Sequence, residues 1–251
     1  MNSLFHRGVD RVLCGTGLQY FPVRVRGELA KGARWTLYPA SAYWRGTHEP
    51  PVGRAILALG DLTGQVCWDL GAHFGYYSVA LAMRTGPTGQ VAAFEPFPAT
   101  FARLERHRRM NRLSWLKTFE AALSDVAGET DFVTGEEHTA NHLRYDGEVD
   151  TASTTLVRVR LVRLDDLVAA GQIRLPNLLK VDVEGHGHHA LAGAIQSIRE
   201  TRPRILMGFH SPQEVAGTRD LLDPLGYRWE PLEPNPPEHC IGWDFLLRPP
   251  N

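Results

Sequence analysis

One stretch of the sequence, residues 66–95, constrains the fold more than any other. It opens with a short apolar run, Val66–Leu70, which is followed by two glycines, Gly71 and Gly75, spaced four residues apart. A helical pattern comes next, and a second apolar run ends at Glu95. The pattern predicts a strand, a tight turn, a helix and a second strand. This succession is typical of a nucleotide-cofactor half-site in an α/β protein.

The glycine spacing indicates which cofactor the turn favours. A dinucleotide fingerprint reads G-x-G-x-x-G, whereas this turn reads D-x-G-x-x-x-G and begins at Asp69. A carboxylate there would repel a pyrophosphate but can pair, directly or through water, with the ammonium of an amino-acid moiety, which favours S-adenosylmethionine. Glu95 can accept two hydrogen bonds from a ribose diol. An NAD-linked oxidoreductase is the alternative, and close packing of helix on strand is a purely structural explanation of the glycines.

Composition narrows the class of protein. The length of 251 residues suits one α/β domain. Lys and Arg total 27 against 28 Asp and Glu, so the formal net charge of -1 gives no bulk electrostatic reason to expect nucleic acid. The cysteines Cys14, Cys67 and Cys240 suggest neither a disulfide framework nor a zinc site. Since no apolar run approaches the ~20 residues that span a bilayer, we expect a cytoplasmic protein without nucleic-acid or membrane partners.

Residues 1–50 read as an N-terminal cap or extension, and residues 51–251 as the cofactor-binding domain. A short helix around Leu4 to Leu13 and one or two strands within residues 21–38 are expected in the cap. The loop at residues 42–51 is rich in aromatic and polar groups. It can close over the cofactor or serve as a plain linker.

After the second strand, the pattern predicts a helix over Ala99–Asn111 and a third strand over Lys117–Leu123. Two further extended pieces, residues 130–133 and 155–162, flank the polar loop Glu136–Thr154. Long loops are often functional, so this loop is our candidate for shaping the acceptor pocket.

The C-terminal third alternates strands with helices. This predicts a doubly wound, mostly parallel sheet that ends in an antiparallel pair, with the ligand beyond the carboxyl ends of the strands. The expected elements are a fourth core strand from Leu178, a helix over Ala190–Arg199, a strand over Arg204–Phe209, a helix over Pro212–Pro224, and terminal strands from Gly226 and Gly242.

Several motifs occur in a fixed order over residues 42 to 210: WDLGAHFGYYS, FEPFP, RLDDL, and LLKVDVEG followed by ALAGA. In this order they resemble the FkbM family of S-adenosylmethionine-dependent methyltransferases, and KVDVEG makes the resemblance far more specific than the glycine turn. The resemblance implies a class I, Rossmann-like methyltransferase fold. It also implies methyl transfer to oxygen, commonly a hydroxyl of a sugar, polyketide or other small metabolite. A homodimer is one option for its assembly.

The resemblance also assigns site residues. The family usually has an acid where this chain has His186 to His189, and another where this chain has Gly208 to His210. Both are positions on the acceptor side, so the identity of the acceptor is not carried over. The residues assigned to cofactor binding are Glu49, Asp69, Gly71, His73, Gly75, Tyr76, Glu95, Pro96 and Asp182.

Methyl transfer to a hydroxyl needs a group that removes a proton. His210 and Asp182 are the leading candidates, with Lys180 behind them. Asp182 can instead order the methionine end of the cofactor, and His210 can be a histidine packed at a strand end. Cofactor binding without turnover would indicate a non-catalytic protein on a methyltransferase scaffold.

A metal is not expected. Carboxylates and imidazoles do come together in the sequence near residue 185, a combination that suits several divalent metals. No fixed ligand spacing such as H-E-x-x-H is present, however, and a turn broken by glycine does not set its side chains on one face. Polar residues that cap the following helix are therefore the simpler explanation of Asp182, Glu184, His186, His188 and His189.

Overall fold

The computed structural model describes residues 20–37, 42–134, 142–143 and 155–250. Within these residues the strands form sheets of seven, four and two strands. The helix expected around Leu4 to Leu13 lies outside the described residues, as does most of the polar loop Glu136–Thr154. No helix in the described part of the chain combines the length and apolarity that crossing a bilayer requires.

The two-stranded sheet belongs to the N-terminal cap. Its strands β1 (Pro22–Arg24) and β2 (Arg34–Thr36) pair antiparallel, as expected for the cap. The helices that follow in the chain are α1 (Pro50–Ala58), α2 (Tyr76–Thr85), α3 (Pro98–Met110), α4 (Leu164–Ala169), α5 (Gly187–Ala192), α6 (Ile195–Thr201) and α7 (Pro212–Leu222).

The seven-stranded sheet forms the centre of the molecule. Its strands are β3 (Val66–Leu70), β4 (Gln90–Phe94), β5 (Leu116–Phe119), β10 (Leu178–Val181), β11 (Arg204–Gly208), β12 (Arg228–Pro231) and β13 (Asp244–Arg248). Their spatial order is β12-β13-β11-β10-β3-β4-β5. The pairings from β11 to β5 are parallel, whereas β13 is antiparallel to both of its neighbours. This confirms the predicted mostly parallel sheet with a C-terminal antiparallel pair.

The order of the strands fixes where a ligand can lie. The chain moves outward from β3 through β4 to β5 and then returns to β10 on the other side of β3. Such a reversal leaves a crevice beyond the carboxyl ends of the two central strands. The carboxyl ends of β3, β4 and β10 therefore meet at one edge of the sheet.

Helices cover both faces of this sheet because alternate strand residues point to opposite sides. On one face, Cys67 of β3 packs in a cluster with Val79 of α2 and Leu104 of α3. On the other face, Trp68 of β3 packs in a cluster with Leu191 of α5 and with residues of α4, α6 and α7. The sheet is therefore doubly wound, as the alternating elements predict.

The four-stranded sheet corrects the predicted third strand, Lys117–Leu123. The strand ends at Phe119, because Phe119 pairs with Phe94, the last residue of β4, and β5 has no partner beyond that pair among the described residues. The chain then bends, and β6 (Ala122–Leu123) pairs with β9 (Thr155–Val162) instead. β7 (Gly128–Thr134) pairs antiparallel with β9 and with β8 (His142–Leu143).

The predicted helix Ala190–Arg199 was also wrong as a single element. The structure divides it into α5 and α6 at Gly193 and Ala194. A Cβ on Gly193 would lie 2.1 Å from the carbonyl oxygen of Ser124, so the backbones approach there as only glycine allows. The carbonyl of Gly193, which lies between the two helices, accepts a hydrogen bond from the backbone N–H of Asp165 at 2.9 Å.

His107 of α3 joins the cap to the cofactor turn. Its ring stacks on Trp35 with the centroids 3.5 Å apart. Its Nε2 accepts the backbone N–H of Thr36 at 3.2 Å, so Nδ1 is the nitrogen that donates to the carbonyl of Phe74 at 2.7 Å. Burial lowers the pKa of His107 from 6.5 to about 3. The neutral ring is therefore part of the folded structure.

Protonation of His107 should destabilise the fold in acid. Because its folded pKa lies below its unfolded value, its contribution is complete above pH 6.5 and is lost as the pH falls from 6.5 towards about 3. We expect urea unfolding of the wild type to lose about 2 kcal/mol more between pH 7 and pH 5 than that of His107→Gln. An equal loss in both proteins would contradict this assignment.

Candidate active site

A cavity of about 210 Å³ lies at the carboxyl ends of β3, β4 and β10. One end of its lining is apolar and includes residues of the four-stranded sheet, and the other end is charged. The apolar end contains Phe94, Ala122, Leu123, Phe132 and Leu143, and the charged end contains Glu49, Lys180, Asp182 and Glu184.

The glycine turn after β3 forms the floor of the cavity. Gly71 has a φ of +81°, and a Cβ there would lie only 1.8 Å from the carbonyl oxygen of Asp182. The N–H groups of Gly71 and Ala72 both donate to the carbonyl of Phe94, at 3.2 and 2.8 Å. The turn is thus fixed between β4 and β10, and residue 71 must be glycine.

Glu95 follows β4 and is 6% exposed. Its Oε1 accepts hydrogen bonds from the N–H of Phe97 at 3.0 Å and the hydroxyl of Thr100 at 2.6 Å. Its Oε2 accepts the N–H of His73 at 2.8 Å. These donors fix the carboxylate at the cavity wall, where Oε2 keeps accepting capacity for a ribose hydroxyl.

Lys180 lies under the charged end of the cavity, with only 5% of its surface exposed. Its Nζ donates to Oδ2 of Asp182 at 3.0 Å and lies 3.8 Å from Oδ1 of Asp69. Burial by itself lowers the pKa of Lys180, but the charges of Asp182, Asp69 and Glu49 raise it above its ordinary value. Lys180 is therefore an ammonium at neutral pH, which favours a positioning role over that of a base.

Asp182 and His210 lie side by side at the ends of β10 and β11. Burial raises the pKa of Asp182, but Lys180 and His210 lower it below its ordinary value. For His210, burial lowers the pKa, whereas Glu214, Asp182 and Glu184 raise it to about 9. The Asp182 carboxylate is therefore ionised between two cationic side chains: Lys180, which lines the cavity, and His210, which lies next to the cavity and is not part of its lining.

The loop that precedes α1 contributes Tyr43, His48 and Glu49 to the lining. The Tyr77 hydroxyl donates to Oε2 of Glu49 at 2.8 Å, and the Tyr43 hydroxyl bonds Nδ1 of His73 at 2.9 Å. Burial lowers the pKa of His48, so its ring is neutral at pH 7. Tyr43 and His48 were not predicted as site residues, although the aromatic and polar composition of residues 42–51 was an available signal.

The structure brings most of the predicted cofactor residues to the cavity but not all. Asp69 lies beneath the wall at 0% exposure, where its Oδ2 accepts the hydroxyl of Ser78. Gly75 is the N-cap residue before α2, and its missing Cβ makes room for Leu104, which lies 2.4 Å from the position a Cβ would take. The predicted residues that do line the cavity are Glu49, Gly71, His73, Tyr76, Glu95, Pro96, Lys180 and Asp182.

The histidines after Glu184 do not join its carboxylate in one cluster. His186 stacks on His189 with the centroids 4.5 Å apart, and His189 bonds Asp125 at 3.2 Å. Within the described residues, the ligand atoms of Asp182, Glu184 and His210 do converge, all lying within 4.8 Å of one another.

The lining fits S-adenosylmethionine in its chemistry. The carboxylate of Glu95 suits a ribose diol, and the apolar wall with Phe132 and Leu143 suits an adenine ring. The carboxylates of Glu49 and Asp182 suit the ammonium of the amino-acid end.

Comparison with known proteins agrees with this geometry. The model of the methyltransferase FkbM domain matches residues 69–229, more than half of the chain. The hexuronic acid methyltransferase AglP of Haloferax volcanii is 27% identical over 172 residues, which cover 66% of this chain and 67% of that protein. The 2-O-methyltransferase NoeI of Sinorhizobium fredii is 27% identical over 189 residues, covering 67% and 72%.

One solved structure supports the fold. A methyltransferase FkbM from Methylobacillus flagellatus superimposes with a TM-score of 0.52 at 17% identity, covering 76% of this chain. The chain spans 45% of that protein's length, so the likeness concerns the fold alone.

Glu95→Gln should weaken binding of S-adenosylhomocysteine, since it removes the charge that a ribose hydroxyl would bond. Loss of one charge-assisted hydrogen bond costs about 1.5–3 kcal/mol, so we expect calorimetry to show a Kd raised roughly 10- to 100-fold. Glu120→Gln, at an exposed carboxylate after the neighbouring strand, should bind as the wild type does. Unchanged affinity in Glu95→Gln would remove Glu95 from the ribose site.

Proposed function

Because the chain belongs to the FkbM methyltransferase family and is therefore an S-adenosylmethionine-dependent methyltransferase, we propose that its acceptor is a hydroxyl group of a small molecule. The single observation that carries this proposal is the charged end of the cavity, where carboxylates and imidazoles meet beside the glycine turn. Sugars are the first acceptors to test, because one relative is named a hexuronic acid methyltransferase and another a 2-O-methyltransferase.

Methyl transfer to a hydroxyl requires that the reacting groups be aligned and that a proton acceptor be present. S-adenosylmethionine, when bound, supplies an electrophilic methyl group. The protein must align the hydroxyl oxygen with that group, exclude water and accept the hydroxyl proton. The loop before α1 adds the buried ring of Tyr43 and the imidazole of His48 to the cavity wall, where they can exclude water.

We assign the cofactor contacts by charge. Glu95 holds the ribose, while Glu49 and Asp182 face the amino-acid end. Asp69 does not reach the cavity, so its proposed contribution is indirect, through Lys180, 3.8 Å away. Lys180 in turn fixes the carboxylate of Asp182 at 3.0 Å.

Three side chains are candidates for the proton. Asp182 stays our first proposal from the sequence. His210, which lies beside it at the end of the adjacent strand, stays a proposal too, but its raised pKa of about 9 means that it must first lose the proton that it carries at neutral pH. His48 is a third, because its neutral imidazole lines the cavity and lies 3.4 Å from Glu49, which would stabilise the imidazolium. A neutral imidazole is the form that can accept a proton at pH 7.

Membership in a methyltransferase family overturns the NAD-linked alternative. A non-catalytic protein on this scaffold would bind S-adenosylmethionine and leave every acceptor unchanged. Activity therefore has to be measured together with binding.

The proposal predicts methyl transfer to saccharides. Incubation with methyl-labelled S-adenosylmethionine and a panel of neutral sugars, amino sugars and hexuronic acids should give a labelled O-methyl ether of at least one. Asp182→Asn should lower the rate on the order of 10²-fold or more, because a candidate proton acceptor is lost. Labelling of nitrogen in an amino sugar, or none with a cofactor-saturated protein, would contradict hydroxyl transfer.

His48→Gln and His210→Gln compare the two histidines. If His48 accepts the proton, His48→Gln should lower kcat on the order of 10²–10⁴-fold, with the affinity for S-adenosylhomocysteine retained. Wild-type kcat in His48→Gln, with a large loss in His210→Gln, would return the role to His210.

A further inference from the structure

We propose that Asp182, Glu184 and His210 form a binding site for a divalent cation at the edge of the cofactor cavity. The inference deepens the proposed function and rests on it in one respect, since the ion would hold oxygen atoms of the hydroxylated acceptor. The three side chains come from two neighbouring strand ends, β10 and β11.

The spacing of the ligand atoms is the first argument. Nε2 of His210 lies 3.5 Å from Oδ1 of Asp182 and 3.8 Å from Oε2 of Glu184. Hydrogen bonds between nitrogen and oxygen are about 2.7–3.2 Å long, so these contacts are too long for good ones. Two ligands about 2.1 Å from one ion are about 3.0 Å apart at a right angle and about 3.4 Å apart at a tetrahedral angle. Movements of a few tenths of an ångström would bring Nε2 of His210 to the tetrahedral separation from each of the two carboxylate oxygens.

A fourth residue, outside this cluster, fixes the backbone of His210 and faces its other ring nitrogen. Glu214 of α7 is fully buried, and its Oε2 lies 3.5 Å from Nδ1 of His210. The same carboxylate accepts the backbone N–H of His210 at 2.8 Å and that of Gly187 at 2.8 Å. Histidines that bind metals usually direct their other ring nitrogen at a carboxylate or carbonyl, which turns the ligating nitrogen outward. Nε2 of His210 is turned in this way towards Asp182 and Glu184.

The chemistry and position of the ligands indicate the kind of ion. Two carboxylates and one imidazole suit Mn²⁺ and related divalent metals better than they suit Ca²⁺, which prefers a shell of oxygen ligands only. Three protein ligands leave further coordination positions open, as in catalytic metal sites. Asp182 and Glu184 both line the cavity, so these open positions face the acceptor. An ion there would bind an acceptor hydroxyl and lower its pKa.

The site changes the meaning of two earlier assignments. An ion would replace the proton that the raised pKa of His210 keeps on its ring at neutral pH. Asp182 and His210 would then bind the metal and neither would act as the base, and Glu49 would be the carboxylate left for the ammonium of the cofactor. Lys180 would still hold Oδ2 of Asp182 at 3.0 Å, which leaves Oδ1 for the ion.

To test the site, the 251-residue protein is treated with a chelator, saturated with S-adenosylhomocysteine and titrated with MnCl₂ in a calorimeter. Electron paramagnetic resonance measures the free Mn²⁺ in parallel. We expect one saturable site in the wild type. Its Kd should rise at least 10-fold in His210→Ala and in Glu184→Gln, each of which should still bind S-adenosylhomocysteine. The matched control is Asp125→Asn, which alters a carboxylate–imidazole pair with His189 elsewhere on the surface and should bind Mn²⁺ as the wild type does.

Two results would overturn the site: no saturable Mn²⁺ binding by the wild type, or the same Kd in all four proteins. Either result together with labelled sugar product would leave the proposed methyl transfer intact. Conversely, Mn²⁺ binding that weakens in His210→Ala and Glu184→Gln, without any methylated acceptor, would support the metal site and count against the hydroxyl acceptor.

Discussion

The buried ammonium of Lys180 connects β3 and β10, the two central strands between which the strand order of the sheet reverses. It bonds Asp182 on its own strand end, lies 3.8 Å from Asp69 on β3, and donates to the carbonyl of Gly71 at 3.4 Å. Removing a charge from water costs several kcal/mol unless partners compensate it. The ammonium therefore depends on the carboxylates of Asp69 and Asp182. These contacts hold the glycine turn after β3 and the end of β10 in a fixed relative position.

Elements outside the central sheet complete the cavity. The loop before α1 brings Tyr43 and His48 over the charged end, and the four-stranded sheet brings Phe132 and Leu143 to the apolar end. The cap is not loosely attached, because Trp35 packs in the same core cluster as α2 and α3. The walls are thereby tied to the core that carries the cofactor turn, which suits a site that must keep water away from the reaction.

The central part of the site was predictable because its signals are local. Gly71, Glu95 and Asp182 each follow a buried strand, and parallel strands place their carboxyl ends at one edge. Other residues gave no such signal. Glu214 reads as an ordinary acid in the first turn of a helix, and the break at Gly193 depends on a close approach to Ser124, far away in sequence. These features are set by tertiary packing, which periodicity does not encode.

The central claim is that this cavity is an S-adenosylmethionine site and not a dinucleotide site. The most direct measurement is calorimetric titration of the purified wild-type protein with S-adenosylhomocysteine and, separately, with NAD. We expect micromolar binding of S-adenosylhomocysteine at one site per chain and no binding of NAD. Binding of NAD alone, or of neither ligand, would contradict the central claim.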